Sequence, residues 1–188
     1  MAAGNSNSAL RQGFGQPVPT FDLPWLDGSG KGTLHDILMG KKGAVIVFWS
    51  AVCTHCRRYD SYFSSFRELY PEIGLAAIAS RYGEKPEEMQ DAVEQRHLLF
   101  PILLDEDGKA ARQWHAQQTP RCYLVTPKGT LAYRGAVDNF KFPADPEYAA
   151  YLEPALASYL AGDVIVRPET ASFGCAIETT YYHLPRQL

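Results

Sequence analysis

Two unbroken apolar runs mark the buried centre of the predicted fold. Residues 43–50 read GAVIVFWS and residues 73–80 read IGLAAIAS, with no charged residue in either run. Strands that are covered on both faces of a sheet carry continuous apolar sequences of this length. Both runs are therefore predicted to be central strands. The shorter run at residues 100–105, FPILLD, is predicted to be a third strand.

Other apolar residues recur at steps of three and four, which is the period of one helix face. The aromatic residues after Cys56 show this spacing up to Pro71; they are Tyr59, Tyr62, Phe63, Phe66 and Tyr70. Three more helices are predicted: one that begins near Pro86, a short one within residues 106–116, and a final one that ends at Gly162.

The segment PRCYLVTPKGTLAYRG, residues 120–135, has the pattern of a β-hairpin with its turn at residues 126–129. Strands and helices alternate along the chain before this hairpin, which predicts an α/β fold. The first two central strands should be parallel and the hairpin antiparallel, so the sheet is mixed. We divide the chain into a flexible N-terminal lead-in (1–16), one domain (17–162) and an extended C-terminal tail (163–188).

The composition limits the classes of function. With 46% apolar residues, a chain of 188 residues can bury a sizeable core, whereas a net charge of −3 and the lack of a basic patch argue against nucleic-acid binding. No apolar stretch is long enough for a membrane span. The N-terminus lacks the apolar segment of a signal peptide, so either the protein is cytoplasmic or an export signal has been removed. We expect a monomer.

The segment FWSAVCTHCRRYD, residues 48–60, places Cys53 and Cys56 where the first central strand ends and a helix begins. A helix N-terminus stabilises a thiolate, which is the reactive form of cysteine. We expect Cys53 to cap the helix, exposed and acidic, with Cys56 one turn further in and partly covered. Cys53 would attack a disulfide and Cys56 would resolve the mixed disulfide. His55 would favour the thiolate further, unless it only faces solvent.

Three other uses of a CxxC pair fit this sequence less well. A haem anchor needs a histidine directly after the second cysteine, and Arg57 stands there instead. A closed zinc site needs two more ligands at short spacing, which the scattered histidines do not supply. A static structural disulfide remains open, although it would close a very small loop and therefore stabilise little. No metal and no cofactor is expected.

Three segments taken together resemble the thioredoxin superfamily, closest to its TlpA/ResA-like and AhpC/TSA (redoxin) branch. They are VIVFWSAVCTHCRRY, FPILLDEDGKAARQW and QTPRCYLVTPKGTLAYRG, and the resemblance covers roughly residues 17 to 162. The resemblance implies a thioredoxin-like fold, with a central mixed sheet flanked by helices, an N-terminal extension and a C-terminal tail. It also implies an exported, periplasmic location, with the cytoplasm as the alternative.

The resemblance assigns roles to individual residues. Cys53 matches the attacking cysteine of the family and Cys56 the resolving one, while Pro120 matches the cis-proline that faces the pair. A proline has no N–H, so the backbone of Thr119 would be left to pair with an extended substrate strand. Thr54 and His55, between the cysteines, complete the predicted substrate-binding residues.

Three further residues are candidate auxiliaries. Cys122 could be a third redox thiol, although a small buried core residue is the interpretation we favour. Cys175 could fold back as a partner for Cys122 or crosslink two chains, and we rank a free or structural role above catalysis. Glu84 lies where this branch often has an acid, although a solvated residue that precedes the helix at Pro86 is the favoured reading.

The sequence leaves three functions open. The first is a thiol–disulfide oxidoreductase that acts on protein thiols and disulfides and is served by an upstream reductant or oxidant. The second is a peroxiredoxin-like peroxidase, but the chain lacks the proline of that motif at position 46. The third is a binding or metal-delivery module in which the cysteine pair holds a soft metal such as Cu(I).

Overall fold

A central sheet of five strands organises residues 13–177, the part of the chain that the structure, a computed structural model, describes. The strands are β1 (Asp22–Pro24), β2 (Lys31–Thr33), β3 (Gly43–Trp49), β4 (Ile73–Ala79), β5 (Ile102–Leu104), β6 (Gln118–Thr119), β7 (Arg121–Val125), β8 (Leu131–Gly135) and β9 (Cys175–Ala176). The helices are α1 (Leu34–Leu38), α2 (Thr54–Arg57), α3 (Asp60–Ser64), α4 (Phe66–Leu69), α5 (Pro86–Arg96), α6 (Lys109–Gln113) and α7 (Leu152–Ala161).

The order of the central sheet is β5-β4-β3-β7-β8, and the predicted mixed sheet is confirmed. β3 lies parallel to β4, in register from Gly43 opposite Ile73 to Trp49 opposite Ala79. β3 lies antiparallel to β7, and β7 and β8 form the predicted hairpin. Every residue of β3 is buried, as its unbroken apolar sequence predicts for a central strand.

Alternate side chains of β3 divide the core into two layers, because successive residues of a strand point to opposite faces. One layer contains Val45, Val47 and Trp49 and is covered by the helices after Cys53 and by α7. The other contains the side chains of Ile46 and Phe48 and is covered by α1 and α6. The sheet is thus flanked by helices on both faces, as predicted.

The single helix predicted after Cys56 is wrong in detail, because the chain forms three short helices, α2, α3 and α4. Two breaks fall at Tyr59 and Ser65, where ψ is 6° and −1°. Near these breaks the backbone forms 3₁₀-type hydrogen bonds between residues three apart, such as the bond from the Tyr59 N–H to the Cys56 carbonyl at 2.9 Å. The apolar face still continues, since Phe63 and Phe66 are both buried.

The ends of the described chain pack against the sheet. Gly15 donates its N–H to the Leu131 carbonyl of β8 at 2.8 Å. At the other end, residues 168–177, which we call the strap, run past β8 and reach β6. Residues 1–12 of the predicted lead-in and residues 178–188 of the predicted tail lie outside the described residues, and the domain boundaries stay predictions.

Within residues 13–177, none of the helices combines the length and the apolar composition that crossing a membrane requires.

Candidate active site

Cys53 lies at the junction that the sequence predicts, directly before α2. After β3 the chain turns through residues 50–52, and the Cys53 N–H reaches back to the Ser50 carbonyl at 3.3 Å. The Cys53 carbonyl accepts the first hydrogen bonds of the helix, from Cys56 at 3.0 Å and Arg57 at 3.2 Å. Cys53 is therefore the N-cap residue of α2, and Cys56 lies one turn inside it.

The loop before β7 faces this cysteine. The Thr119–Pro120 peptide bond is cis, and Cys53 Sγ lies 3.3 Å from the Thr119 carbonyl oxygen, which accepts a hydrogen bond from Cys53 when the thiol is protonated. Antiparallel pairing of β3 with β7, which sets Phe48 opposite Arg121, brings the two loops together. The structure thus joins four of the predicted site residues, namely Cys53, Cys56, Thr119 and Pro120.

The predicted exposure of Cys53 is wrong. Cys53 and Cys56 both have 0% of their surface exposed, and Thr119 only 1%. The prediction assumed that a helix N-terminus faces solvent, but the strap lies beside this one. β9 of the strap pairs antiparallel with β6, with Cys175 opposite Thr119. The backbone of Thr119, which was expected to be free for a substrate strand, is therefore already paired.

Hydrogen bonds outweigh burial at Cys53. The hydrogen bond from the Cys56 side chain lowers the pKa of Cys53 most. Hydrogen bonds from the side chains of Cys175 and Thr119 and from the Cys56 N–H lower it further. Burial opposes them, yet the pKa of Cys53 falls from an ordinary value of 9.0 to about 4. Cys53 is thus a thiolate at neutral pH, which agrees with the predicted acidity.

Cys56 has the opposite character. Burial, followed by the hydrogen bond to Cys53 and the charge of its thiolate, raises the pKa of Cys56 well above 9.0. The two thiols therefore share one proton, which stays on Cys56. This asymmetry separates an attacking sulfur from one that reacts only after the charge on its neighbour is gone.

The residues between the cysteines lie at the surface. Thr54 is exposed and His55 is half-buried. His55 acts on the site through its backbone: its N–H faces the Cys175 sulfur and lowers the pKa of Cys175. Both residues border the cysteine pair, as a substrate-binding role would require, and that role stays a prediction.

Glu84 supports the turn before Cys53. Its carboxylate accepts hydrogen bonds from the backbone N–H groups of Ala51 at 2.5 Å and Val52 at 3.2 Å. The favoured reading as a solvated residue is therefore wrong: the side chain folds back onto the turn instead of pointing into solvent. Burial raises the pKa of Glu84, although the Ser50 side chain and these two N–H groups partly offset it.

Cys122 is the buried core residue that was favoured. It is 0% exposed, lies opposite Val47 on β3 and Gly135 on β8, and its pKa is raised by burial. Cys175 does not behave as expected: the sulfur with which it shares a hydrogen bond is that of Cys53. All four cysteines are free thiols in the structure. Among residues 13–177, no group of three or more His, Cys, Asp or Glu side chains is arranged to hold a metal.

Comparison with known proteins identifies the family. The AhpC/TSA family model matches residues 14–134, more than half of the chain. The chain belongs to the AhpC/TSA family. The resemblance to the TlpA/ResA-like redoxin branch of the thioredoxin superfamily is also confirmed, since curated relatives include thiol-disulfide oxidoreductases of that kind.

Two of these relatives come from Bacillus subtilis. Sporulation thiol-disulfide oxidoreductase A is 26% identical over 101 residues, which are 51% of this chain and 61% of the relative. Thiol-disulfide oxidoreductase ResA is 25% identical over 117 residues, 62% of this chain and 64% of the relative. The chain thus spans less than two thirds of either relative.

A solved structure shows the fold more completely. An uncharacterized conserved protein from Geobacillus kaustophilus matches with a TM-score of 0.78 at 24% identity, covering 88% of this chain and 91% of that one. The likeness extends over nearly the whole chain and confirms the thioredoxin-like architecture.

One residue that supports the site, Arg96, was not predicted from the sequence. Arg96, at the end of α5, forms an ion pair with Asp60 at 2.7 Å and donates a hydrogen bond to the Ala51 carbonyl at 2.6 Å. Its guanidinium also lies 5.4 Å from the centre of the Trp49 ring. Arg96 thus ties the turn before Cys53 to α3 and β3. Nothing in its surroundings along the chain indicates this role, because its partners are distant in sequence.

Proposed function

We propose that this protein is a thiol–disulfide oxidoreductase whose attacking cysteine is Cys53 and whose resolving cysteine is Cys56. One observation carries the proposal: the Cys53 sulfur, with a pKa of about 4, lies 3.3 Å from the Thr119 carbonyl that precedes the cis-Pro120 bond. β9 occupies the backbone edge beside this sulfur, and a substrate cysteine on an extended segment would pair with the same edge once β9 moves away.

The reaction then follows from the two thiols. The Cys53 thiolate attacks one sulfur of a substrate disulfide, forms a mixed disulfide and expels the other substrate sulfur as a thiolate. Cys53 now carries no negative charge, so its thiolate no longer raises the pKa of Cys56. Cys56 gives up its proton and attacks Cys53, so that the substrate leaves reduced and a Cys53–Cys56 disulfide remains. The same steps in reverse oxidise a substrate dithiol.

Substitution of each cysteine tests the proposal. Cys53→Ser should abolish reduction of the insulin disulfides by the reduced protein. The double variant Cys56→Ser with Cys175→Ser should stop turnover and accumulate mixed disulfides with insulin, because neither thiol that contacts Cys53 is then left to resolve them. Cys122→Ala is the matched control, because Cys122 is buried in the sheet, and it should keep the activity within about twofold. An unchanged insulin-reduction rate in Cys53→Ser would refute the assignment.

Substrate class and location belong to the same proposal. The substrates are protein thiols and disulfides, and an upstream reductant or oxidant restores the pair. The redoxin branch favours an exported, periplasmic location over the cytoplasm. Fractionation of the source cells decides between them, and recovery only with cytoplasmic proteins would exclude export.

A further inference from the structure

We propose that Cys175 is a third redox cysteine of this site: the strap holds it in the place of a substrate cysteine, and it exchanges with the Cys53–Cys56 disulfide to form a Cys53–Cys175 disulfide. This inference rests on the proposed function, since it needs a reactive Cys53. It adds a residue and a closed state that the two-cysteine mechanism does not require.

The first half of the strap is anchored to β8. Arg134 forms a two-bonded ion pair with Glu169, at 2.7 and 3.0 Å, and its backbone N–H donates to the Pro168 carbonyl at 2.9 Å. The Thr170 hydroxyl accepts a hydrogen bond from the Ala136 N–H at 3.0 Å and contacts the Tyr133 hydroxyl at 2.8 Å. These contacts fix the direction in which the chain approaches the active site.

The second half of the strap takes the position of a bound strand. β9 pairs antiparallel with β6, and the Ile177 N–H continues the pairing to the Gln117 carbonyl at 2.9 Å. Ile177 is 95% buried in the core, so the strap is held on both sides of Cys175. Gly174 permits the close approach, because a Cβ at this position would lie 1.9 Å from the Thr119 carbonyl oxygen.

This pairing sets two sulfur atoms against each other. The Cys175 side chain hydrogen-bonds to Cys53, and it also faces the backbone N–H of His55 and the positive charge of Arg81. Burial, followed by the hydrogen bond to Cys53 and the charge of its thiolate, raises the pKa of Cys175, and the Arg81 charge and the His55 N–H act in the opposite direction. In the Cys53–Cys56 disulfide the charge on Cys53 is absent, which makes it easier for Cys175 to ionise. Cys175 is only half-buried, so it stays within reach of solvent while it touches the buried Cys53.

The proposed step is an internal thiol–disulfide exchange. The Cys175 thiolate attacks Cys53 of the Cys53–Cys56 disulfide; the Cys53–Cys175 bond forms, the Cys53–Cys56 bond breaks, and Cys56 leaves as a thiolate that takes up a proton. The number of disulfides is unchanged, so no further oxidant is needed. The product ties the strap across Cys53 and Thr119. A protein substrate can enter only after Cys56 reverses the exchange or a reductant opens the bond.

Peptide mapping of the full chain tests the step. Trypsin leaves Cys53 and Cys56 together on residues 43–57 and Cys175 on residues 142–186, because Arg167 precedes Pro168. The Cys56→Ser variant is treated with oxidised glutathione at about 0.1 mM and quenched with acid. Cys53 first takes up one glutathione, which Cys175 should displace. The crosslink between the two peptides should then exceed the glutathione adduct about tenfold, since a tethered thiol acts at millimolar effective concentration.

Controls separate this inference from the proposed function. In the Cys56→Ser background, Cys122→Ala should leave the crosslink unchanged, whereas Cys175→Ser should lose it and keep a stable glutathione adduct on Cys53. A stable glutathione adduct on Cys53 with Cys175 free, or a crosslink only between chains, would overturn the inference and leave the proposed function standing. A Cys53 that takes up no glutathione in any variant would overturn both.

Discussion

At the scale of single residues, the molecule combines full burial with high acidity at Cys53. Burial alone raises a thiol pKa, so the hydrogen bonds from Cys56, Cys175 and Thr119 must supply the reverse effect. Because the folded pKa lies below the unfolded value, the thiolate adds stability to the reduced protein. That stability is complete above pH 9.0 and is lost as the pH falls through about 4. The disulfide form lacks it, which favours an oxidising pair.

Arg96 provides a residue-scale prediction about the support of the site. Arg96→Ala should lower the free energy of unfolding by about 3 kcal/mol at pH 7, because it leaves the Asp60 carboxylate buried without its ion-pair partner. Burial already raises the pKa of Asp60, so the deficit should shrink in acid, where protonation removes the buried charge. Urea denaturation at several pH values measures both effects.

The matched control is an exposed ion pair. Lys141 and Glu147 lie 2.8 Å apart with 54% and 75% of their side chains exposed, so Lys141→Ala should leave the free energy of unfolding nearly unchanged. Equal losses for Arg96→Ala and Lys141→Ala would contradict the bracing role of Arg96.

At the scale of elements, the pairing of β6 with β9 decides how open the active site is. A strand of two residues would contribute little alone, but the strap is held by Glu169 and Thr170 on one side and Ile177 on the other. The element that covers Cys53 is therefore also the one that brings Cys175 to it. Access to the site and the redox state of Cys175 should be coupled.

Gly174→Ala should open the site. The added methyl group would lie 1.9 Å from the Thr119 carbonyl oxygen, so β9 must move away from β6. A clash of about 1–3 kcal/mol should raise the rate at which iodoacetamide labels Cys53 roughly tenfold, by shifting the local opening equilibrium. Peptide mapping of labelled Cys53 gives this rate directly.

Phe173→Ala is the control on the neighbouring residue, because the Phe173 side chain is 75% exposed and its removal leaves the pairing intact. Equal labelling rates for Gly174→Ala, Phe173→Ala and the unaltered chain would show that the strap does not shield Cys53.

At the scale of the whole molecule, features set by local pattern were predictable from the sequence. The apolar runs predict β3 and β4, and the residues of the hairpin predict β7 and β8. The family resemblance adds the cis peptide bond at Pro120, which periodicity alone does not indicate. Together these place Cys53 correctly between strand and helix, with Cys56 in the first turn of the helix.

The parts that were not predictable depend on contacts between residues far apart in the chain. Thr119 and Cys175 are separated by more than fifty residues, and a two-residue strand such as β9 has no period to detect. The need for glycine at position 174 can be recognised only when its neighbour, the Thr119 carbonyl, is known. Glu84 and Arg96 likewise act on the turn at residues 51–52 from a distance of more than thirty residues. The exposure of Cys53 was mispredicted for this reason.

One measurement tests the central claim most directly: the pH titration of the Cys53 thiolate in the reduced protein, followed by its ultraviolet absorbance relative to the Cys53→Ser variant. The absorbance needs no reagent to reach the buried sulfur, so the strap does not interfere. The account predicts a transition centred at pH about 4, with Cys53 fully ionised at neutral pH. A transition near pH 9.0, the ordinary value for a thiol, would contradict it.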